Sequence, residues 1–187
     1  GKPIPLRVVF LAILIITAGL EFDGKYRFRD WIMTKPEQYL PMERARIYVN
    51  NPAEYVRTIS LGTRWIQEHV GREETMLAIP YNPIYNFLSE RASPIPEMAF
   101  YDRLNVAPEQ EERIVADLEQ ANTRWILISN RAFSTETGLG VFGQTYCPRL
   151  HQFWQENYEL VETIGDWEGP AGWIAYNANK IYRKIPN

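Results

Sequence analysis

Cysteine is almost missing from this chain: Cys147 is the only one in 187 residues, and only His69 and His151 could offer an imidazole. A single thiol excludes an intrachain disulfide and a cysteine-rich zinc site, and two histidines are too few for a histidine-based metal cage, so no metal is expected. Basic charge is short as well. Twenty Lys and Arg stand against 23 Asp and Glu, a formal net charge of -3. Lys2 and Arg7 are the only charged side chains before Glu21, so the portion beyond residue 20 is more acidic than the whole. An acidic chain without a basic stripe has little to offer a phosphate backbone, which removes nucleic acid from the expected partners. Disorder is excluded too, because 45% hydrophobic and 23% charged residues is the composition of a globular protein, long enough for one ordinary domain. Nothing in the composition asks for a cofactor.

What the chain has in excess lies at its start. Residues 8–20 read VVFLAILIITAGL, an uncharged run with Arg7 before it and Glu21 and Asp23 after it. A bilayer span takes about 20 apolar residues; this run is shorter, but flanking residues extend it and Arg7 can snorkel to the headgroups. Residues 1–22 are therefore expected to form one membrane helix rather than a cleaved leader, although the small residues Thr17, Ala18 and Gly19 resemble a cleavage site. Lys2 and Arg7 on its N-terminal side assign that end to the cytoplasm and everything after it to the extracytoplasmic (periplasmic) side. Residues 23–50 show no clean period, and Trp31, Tyr39 and Tyr48 suit a linker at the membrane surface. Residues 51–187 make the expected folded domain.

Within that domain the organising stretch is residues 75–91, TMLAIPYNPIYNFLSER. Met76 to Ile79 form a short apolar run, Pro80 and Asn82-Pro83 stop it, and Asn82 stands as cap with Pro83 at the first helical position. Before it, Asn51-Pro52-Ala53-Glu54 has the form of a capping box, and Tyr55, Ile59, Gly62, Ile66 and Val70 make one inward helical stripe that Gly71 is expected to end as a left-handed cap. After it, Pro108 opens a helix whose Glu109, Glu111 and Glu112 read as a solvated, dipole-matched face. Trp125 to Ser129 form a second apolar strand, so strand, crossover helix and strand can close a parallel unit. Pro148 starts another helix, and the chain ends in two strands joined by a turn. The expected class is α/β: a three-layer fold with a mainly parallel small sheet and an antiparallel C-terminal hairpin, preceded by the membrane helix.

Chemistry-bearing motifs are few. Gly138-Leu139-Gly140-Val141-Phe142-Gly143 matches G-x-G-x-x-G, but it neither leaves a strand directly nor opens a helix, so a glycine-rich loop is the better reading than a dinucleotide site. Residues 130–146 are long for a loop in a compact domain, which marks a functional or mobile segment. Cys147 sits at an expected helix N-terminus, where the dipole would lower its pKa, with His151 one turn on; no third group orients the pair, and a structural cysteine is preferred to a nucleophile. Carboxylates fall at turns and helix starts, and no pair can be singled out for glycosyl chemistry. The generic ligand position is the strand-to-helix turn bearing Tyr81, Asn82 and Tyr85, because open α/β sheets place ligands outside the carboxyl ends of their strands.

In order and style, IQEHVGREETMLAIPYNPIYNFLSERASP, TRWILISN, LHQFWQENYELVETIGDW and the closing KIYRK resemble the C-terminal extracytoplasmic domain of polytopic, polyprenyl-phosphate-sugar-dependent glycosyltransferases, the superfamily that includes protein O-mannosyltransferase-like and aminoarabinose-transferase-like enzymes. The resemblance spans roughly residues 52–184. It implies a non-catalytic domain that caps a membrane cavity, with the catalytic carboxylate in an upstream membrane loop and no catalytic residue here. It implies membrane lipid, a polyprenyl-phosphate sugar and other membrane protein subunits as partners, and it matches Tyr81, Asn82, Tyr85 and Arg91 to the family's strand-to-helix turn. The competing expectation is a single-span anchored accessory subunit that serves a membrane complex as an interaction module.

Overall fold

The structure, a computed structural model, describes residues 11–18, 38–49, 53–104, 106–134, 138–171 and 178–186. Residues 11–18 are helical (α1), with Leu11, Ile13, Leu14, Ile15 and Ile16 each more than half exposed. Among the described residues no helix is long and apolar enough to cross a membrane. The rest of the run expected to span it lies outside the described residues, as do the Asn51-Pro52 half of the capping box and Trp31.

The stretch read as a linker contains a β-hairpin, Tyr39–Met42 (β1) with Ala45–Tyr48 (β2), paired antiparallel. Tyr39 and Tyr48 meet across it in a tilted pair at 4.9 Å between ring centroids, and Leu40 is buried with the residues of the first domain helix. The hairpin leaves no alternation in the sequence because only one of its strand side chains, Leu40, is fully buried.

The main sheet has four strands in the order β3, β4, β6, β5: Met76–Ile79 (β3), Trp125–Ser129 (β4), Tyr158–Ile164 (β5) and Asn179–Lys184 (β6). The β3 and β4 strands are parallel, as their apolar runs require; β6 then joins β4 antiparallel, with Leu127 opposite Ile181, and β5 closes the far edge antiparallel to β6. The sheet is thus mixed, not mainly parallel. The C-terminal hairpin inserts its second strand beside β4 rather than extending the sheet from outside, and one parallel pairing remains.

Every residue of β3 and β4 is buried, which is the signature of strands covered on both faces. Met76, Ala78, Trp125, Leu127 and Ile181 face one layer, where helix α2 (Ala53–His69) and the short α3 (Pro83–Ser89) pack. Leu77, Ile79, Ile126 and Ile128 face the other, where α4 (Pro108–Gln120) and α5 (Pro148–Asn157) pack. The three-layer expectation holds. On α2 the buried stripe is Val56, Ile59, Gly62, Thr63 and Ile66, and Gly62 is there because a Cβ on it would lie 2.8 Å from Tyr85 Cε1. The helix stops at His69, but Gly71 does not take the left-handed conformation expected of a cap; its N–H donates to Glu74 Oε2 at 2.6 Å instead.

Each outer edge of the sheet is handled differently. The free side of β3 is closed by the return of the chain: Met76 N–H donates to Ala92 O at 3.0 Å, and Asn86 Nδ2 donates to Met76 O at 2.8 Å. The β5 edge carries a bulge between Leu160 and Glu162, and charged Glu159 and Glu162 stand along it. Bulges and charges of this kind discourage further strand addition.

Candidate functional site

The carboxyl ends of β3 and β4 lie side by side, and the residues that follow them include buried polar side chains, Asn82, Asn130 and Arg131. After β3 come Pro80, Tyr81 and Asn82; after β4 come Asn130 and Arg131; and β6, which opens at the same edge, begins with Asn179 opposite Ser129. Asn130 N–H donates to Ala178 O at 2.9 Å, locking the β4 exit to the β6 entry. Asn82, Asn130 and Asn179, one from each strand end, thus stand in a row across the top of the sheet, and all three are buried. The Arg131 guanidinium covers the Tyr81 ring at 4.5 Å, and Tyr101 meets the same ring edge-on at 6.3 Å.

The four residues singled out from sequence part ways here. Tyr81 and Asn82 sit at the edge itself. Asn82 is the residue before α3, yet its side chain makes no cap bond, and its Nδ2 is buried without a partner. The capping role expected of it is not the one it plays. Tyr85 has no exposed surface; its hydroxyl accepts from Asn179 Nδ2 at 2.7 Å, and burial pushes its pKa well above the usual phenol range. Arg91 is turned away from the edge to the end of α2. Its Nε and Nη2 donate to Val70 O at 2.9 and 2.6 Å, Nη2 also reaches Gln67 O at 3.3 Å, and Nη1 donates to Ser89 O at 2.5 Å. That fork satisfies carbonyls a helix terminus leaves open. Tyr81 and Asn82 thus lie at the carboxyl edge of the sheet, whereas Tyr85 and Arg91 bond to Asn179, to Ser89 and to the end of α2.

A crevice of about 530 Å³ opens beside the row, lined by Asn130, Phe133 and Ser134 after β4 and by Trp167, Gly169, Pro170 and Ala171 after β5. Its volume falls in the range usual for small-molecule sites, ~300–1,000 Å³. In the sequence, residues 130–146 stand out only by their length. What could have flagged the site is the pattern Ser129-Asn130-Arg131 directly after an apolar strand, polar residues at a strand's carboxyl end.

The remaining motifs resolve as structure. Residues 130–133 form a 3-10 turn, and Arg131, Ala132, Phe142 and Tyr146 are buried, so the described parts of this stretch, 130–134 and 138–146, pack into the domain. Gly138, Gly140 and Gly143 all have positive φ, and at Gly143 a Cβ would collide with the His151 ring. The glycines are needed for backbone shape; none of them opens a helix, and the G-x-G-x-x-G match has no dinucleotide geometry. Cys147 is buried, itself at φ 50, and burial with the neighbouring Glu111 carboxylate pushes its thiol up to about 12. Burial thus reverses the expected lowering, and the α5 N-terminus is already occupied: Glu111 Oε2 accepts from the N–H groups of Arg149 at 2.8 Å and Leu150 at 3.1 Å. Glu111, read from sequence as solvated, is 2% exposed. His151 stands among Phe142, Phe133 and Trp154 at 5.1 to 6.3 Å between centroids, and burial lowers its pKa. Among the described residues no group of three His, Cys, Asp or Glu side chains is arranged to hold a metal ion.

Fold and edge together define a three-layer α/β domain with a mixed four-stranded sheet and a polar crevice at the carboxyl ends of its strands. No protein-family model matches the chain, and no curated protein does. Among solved structures, the crystal structure of the C-terminal globular domain of an oligosaccharyltransferase from Archaeoglobus fulgidus overlaps 68% of this chain and 97% of its own, at 12% identity and a TM-score of 0.37. An overlap that slight leaves the function to be argued from the residues themselves.

Proposed function

We propose that this chain is the extracytoplasmic cap of a membrane glycosyltransferase that uses a polyprenyl-phosphate-linked sugar, tethered by the apolar segment of residues 1–22 and contributing no reaction centre of its own. The observation that carries the reading is α1. Its leucines and isoleucines are exposed on every side, with between 52% and 63% of each in contact with solvent. A helix apolar all round has to be covered, and lipid is the covering that a run of this kind fits. The resemblance of PYNPIYNFLSER, NYELVETIG and KIYRK to the soluble domain of that transferase family supports the rest. In this reading Tyr81 and Asn82 lie at the working edge, toward acceptor or lipid-linked donor, while the catalytic carboxylate belongs to the membrane part of the enzyme.

The test is expression from the complete coding sequence, followed by alkaline carbonate extraction of membranes and an assay of sugar transfer from a polyprenyl-phosphate donor. The chain should stay with the membrane pellet, and deleting residues 51–187 should abolish transfer. Extraction of the intact chain into the carbonate supernatant would refute the anchor. Turnover of substrate by purified residues 21–187 alone would refute the non-catalytic role. Membrane retention without any transfer would replace this reading with the anchored accessory subunit.

A further inference from the structure

The chain enters the sheet domain at one particular end. Ser129, Asn179 and Ile164 stand in register at the carboxyl edge. A Cβ on Gly165, just after β5, would lie 3.0 Å from Thr58 Oγ1 and 3.2 Å from Ala178 Cα, which puts the early turns of α2 at that edge. Further along the helix the Trp65 ring meets the ring of Trp125, the first residue of β4, at 5.7 Å. Helix α2 therefore runs from the carboxyl edge to the opposite end, about 25 Å for its 17 residues. The β1–β2 hairpin follows the same axis. At its open end, shortly before α2, Val49 N–H donates to Gln38 O at 3.0 Å; at its turn, Arg44 Nη1 donates at 3.0 Å to Phe87 O in the last turn of α3. Gln38, through which everything upstream is joined to the domain, thus lies toward the edge that carries Tyr81, Asn82 and Asn130.

We infer that the carboxyl edge is the face this domain turns to the bilayer, resting on the headgroup layer. This placement rests on the anchor proposed above and adds to it which end of the sheet meets lipid. With residues 1–22 in the membrane, a carboxyl edge seated on the surface leaves the connecting chain only the gap to span. Seating the far end instead would make the same chain run back along the length of α2, a more extended path with fewer conformations. Side chains at the edge suit the interface. Tyr101, whose ring meets that of Tyr81 at 6.3 Å, and Trp167 are partly exposed, and Leu104 is 47% exposed; Tyr and Trp settle at headgroup level. Lys180 Nζ lies over the Trp167 ring at 4.2 Å, and an ammonium so placed can reach lipid phosphate while the ring stays at the interface. The far end carries ion pairs instead, Arg72 with Glu90, Arg124 with Glu74 and Arg183 with Glu159. Net charge is not the attraction. Among the described residues, exposed Asp102, Asp166 and Glu168 near the edge outnumber Arg103 and Lys180, so the contact should form on a zwitterionic surface and persist in salt.

The experiment uses the full chain in phosphatidylcholine vesicles that contain a lipid with a nitroxide on its headgroup. Single cysteines are added at the edge, Leu104→Cys or Glu168→Cys, or at the far end, Arg72→Cys or Arg124→Cys, and labelled with bimane; the parent chain, whose one thiol is buried, is the blank. Quenching at 104 and 168 should exceed that at 72 and 124 at least about threefold, because the two ends differ in height by roughly 25 Å and nitroxide quenches at contact range. The difference should survive about 0.5 M salt, and its loss there would overturn a contact made by rings and tether. Equal quenching at all four sites, in a chain that floats with the vesicles, would overturn the orientation and leave the anchor standing. So would stronger quenching at 72 and 124, which would give the lipid contact to the end bearing Phe87, 51% exposed with Arg44 over its ring. A chain that does not float with the vesicles refutes the anchor, and the orientation falls with it.

Discussion

Glu111 offers the sharpest quantitative test of how this domain is held together. It projects from the first turn of α4, and its carboxylate accepts two backbone N–H groups in the first turn of α5, at 2.8 and 3.1 Å. The residue is almost fully buried, and Cys147, the residue before α5, makes no side-chain cap bond. One carboxylate therefore serves two helices, as an acid in the first turn of one and as the external cap of the other. A hydrogen bond to a charged group contributes about 1.5–3 kcal/mol, and two amides left unpaired inside the protein cost about 1–3 kcal/mol each. Allowing for the relief of no longer burying a charge, Glu111→Ala is expected to cost roughly 2–4 kcal/mol. Domains of this length lose about 2–4 °C of Tm per kcal/mol, which converts to a fall of about 5–15 °C. Glu111→Gln keeps the shape and one acceptor, and should cost about half as much. Exposed Glu109 and Glu112 on the same turn provide the controls, since their alanine variants should stay within about 0.5 kcal/mol of the parent. Chemical denaturation of the four variants decides the matter. A Glu111→Ala no worse than Glu109→Ala would mean that the carboxylate does not cap α5.

Four further outcomes are expected. Arg91→Ala should destabilise by roughly 2–4 kcal/mol by stripping the carbonyls of Val70, Ser89 and Gln67 of their donor; loss of sugar transfer with an unchanged Tm would instead make Arg91 a ligand contact. Tyr85→Phe should cost about 1–2 kcal/mol, because Asn179 Nδ2 loses its acceptor, and urea titration reads it directly. Cys147 should resist a thiol reagent at pH 8 in the folded protein and react at once in denaturant; rapid reaction of the native chain at acid pH would revive a nucleophilic thiol. His151 is held neutral by burial, so the unfolded chain binds its proton more readily. Its contribution to stability is complete above about pH 6.5 and is lost as pH falls below that value, and His151→Leu should flatten the slope between pH 5 and 7.

Much of the architecture could be read in advance because it depends on local chemistry. Prolines at 83, 108 and 148 mark three helix starts, since a residue with fixed φ and no N–H fits only the first turn, and each of those helices begins there. The runs Met76 to Ile79 and Trp125 to Ser129 had to be strands covered on both faces, because no polar residue interrupts them before Ser129. The place of the four singled-out residues was legible only along the chain. Tyr81 and Asn82 follow from the rule that ligands gather at strand ends, but nothing local reveals that Tyr85 is walled in against Gly62, or that the Arg91 fork closes the end of a helix more than twenty positions upstream.

The residues themselves determined which segments are helix, which strands are buried on both faces, and that residues 8–20 form an uncharged apolar run, because each of these is set by neighbours within a turn or two. Tertiary structure alone decided that the closing strand would run against β4 and make the sheet mixed, that the acid at 111 would be a buried cap rather than a wet surface charge, and that Asn130 would keep an amide with nothing to bond. Such outcomes depend on which distant segments share a face. Pairing partners chosen across fifty or a hundred residues leave no period behind, and a carboxylate looks the same on paper whether it meets water or the open end of a helix.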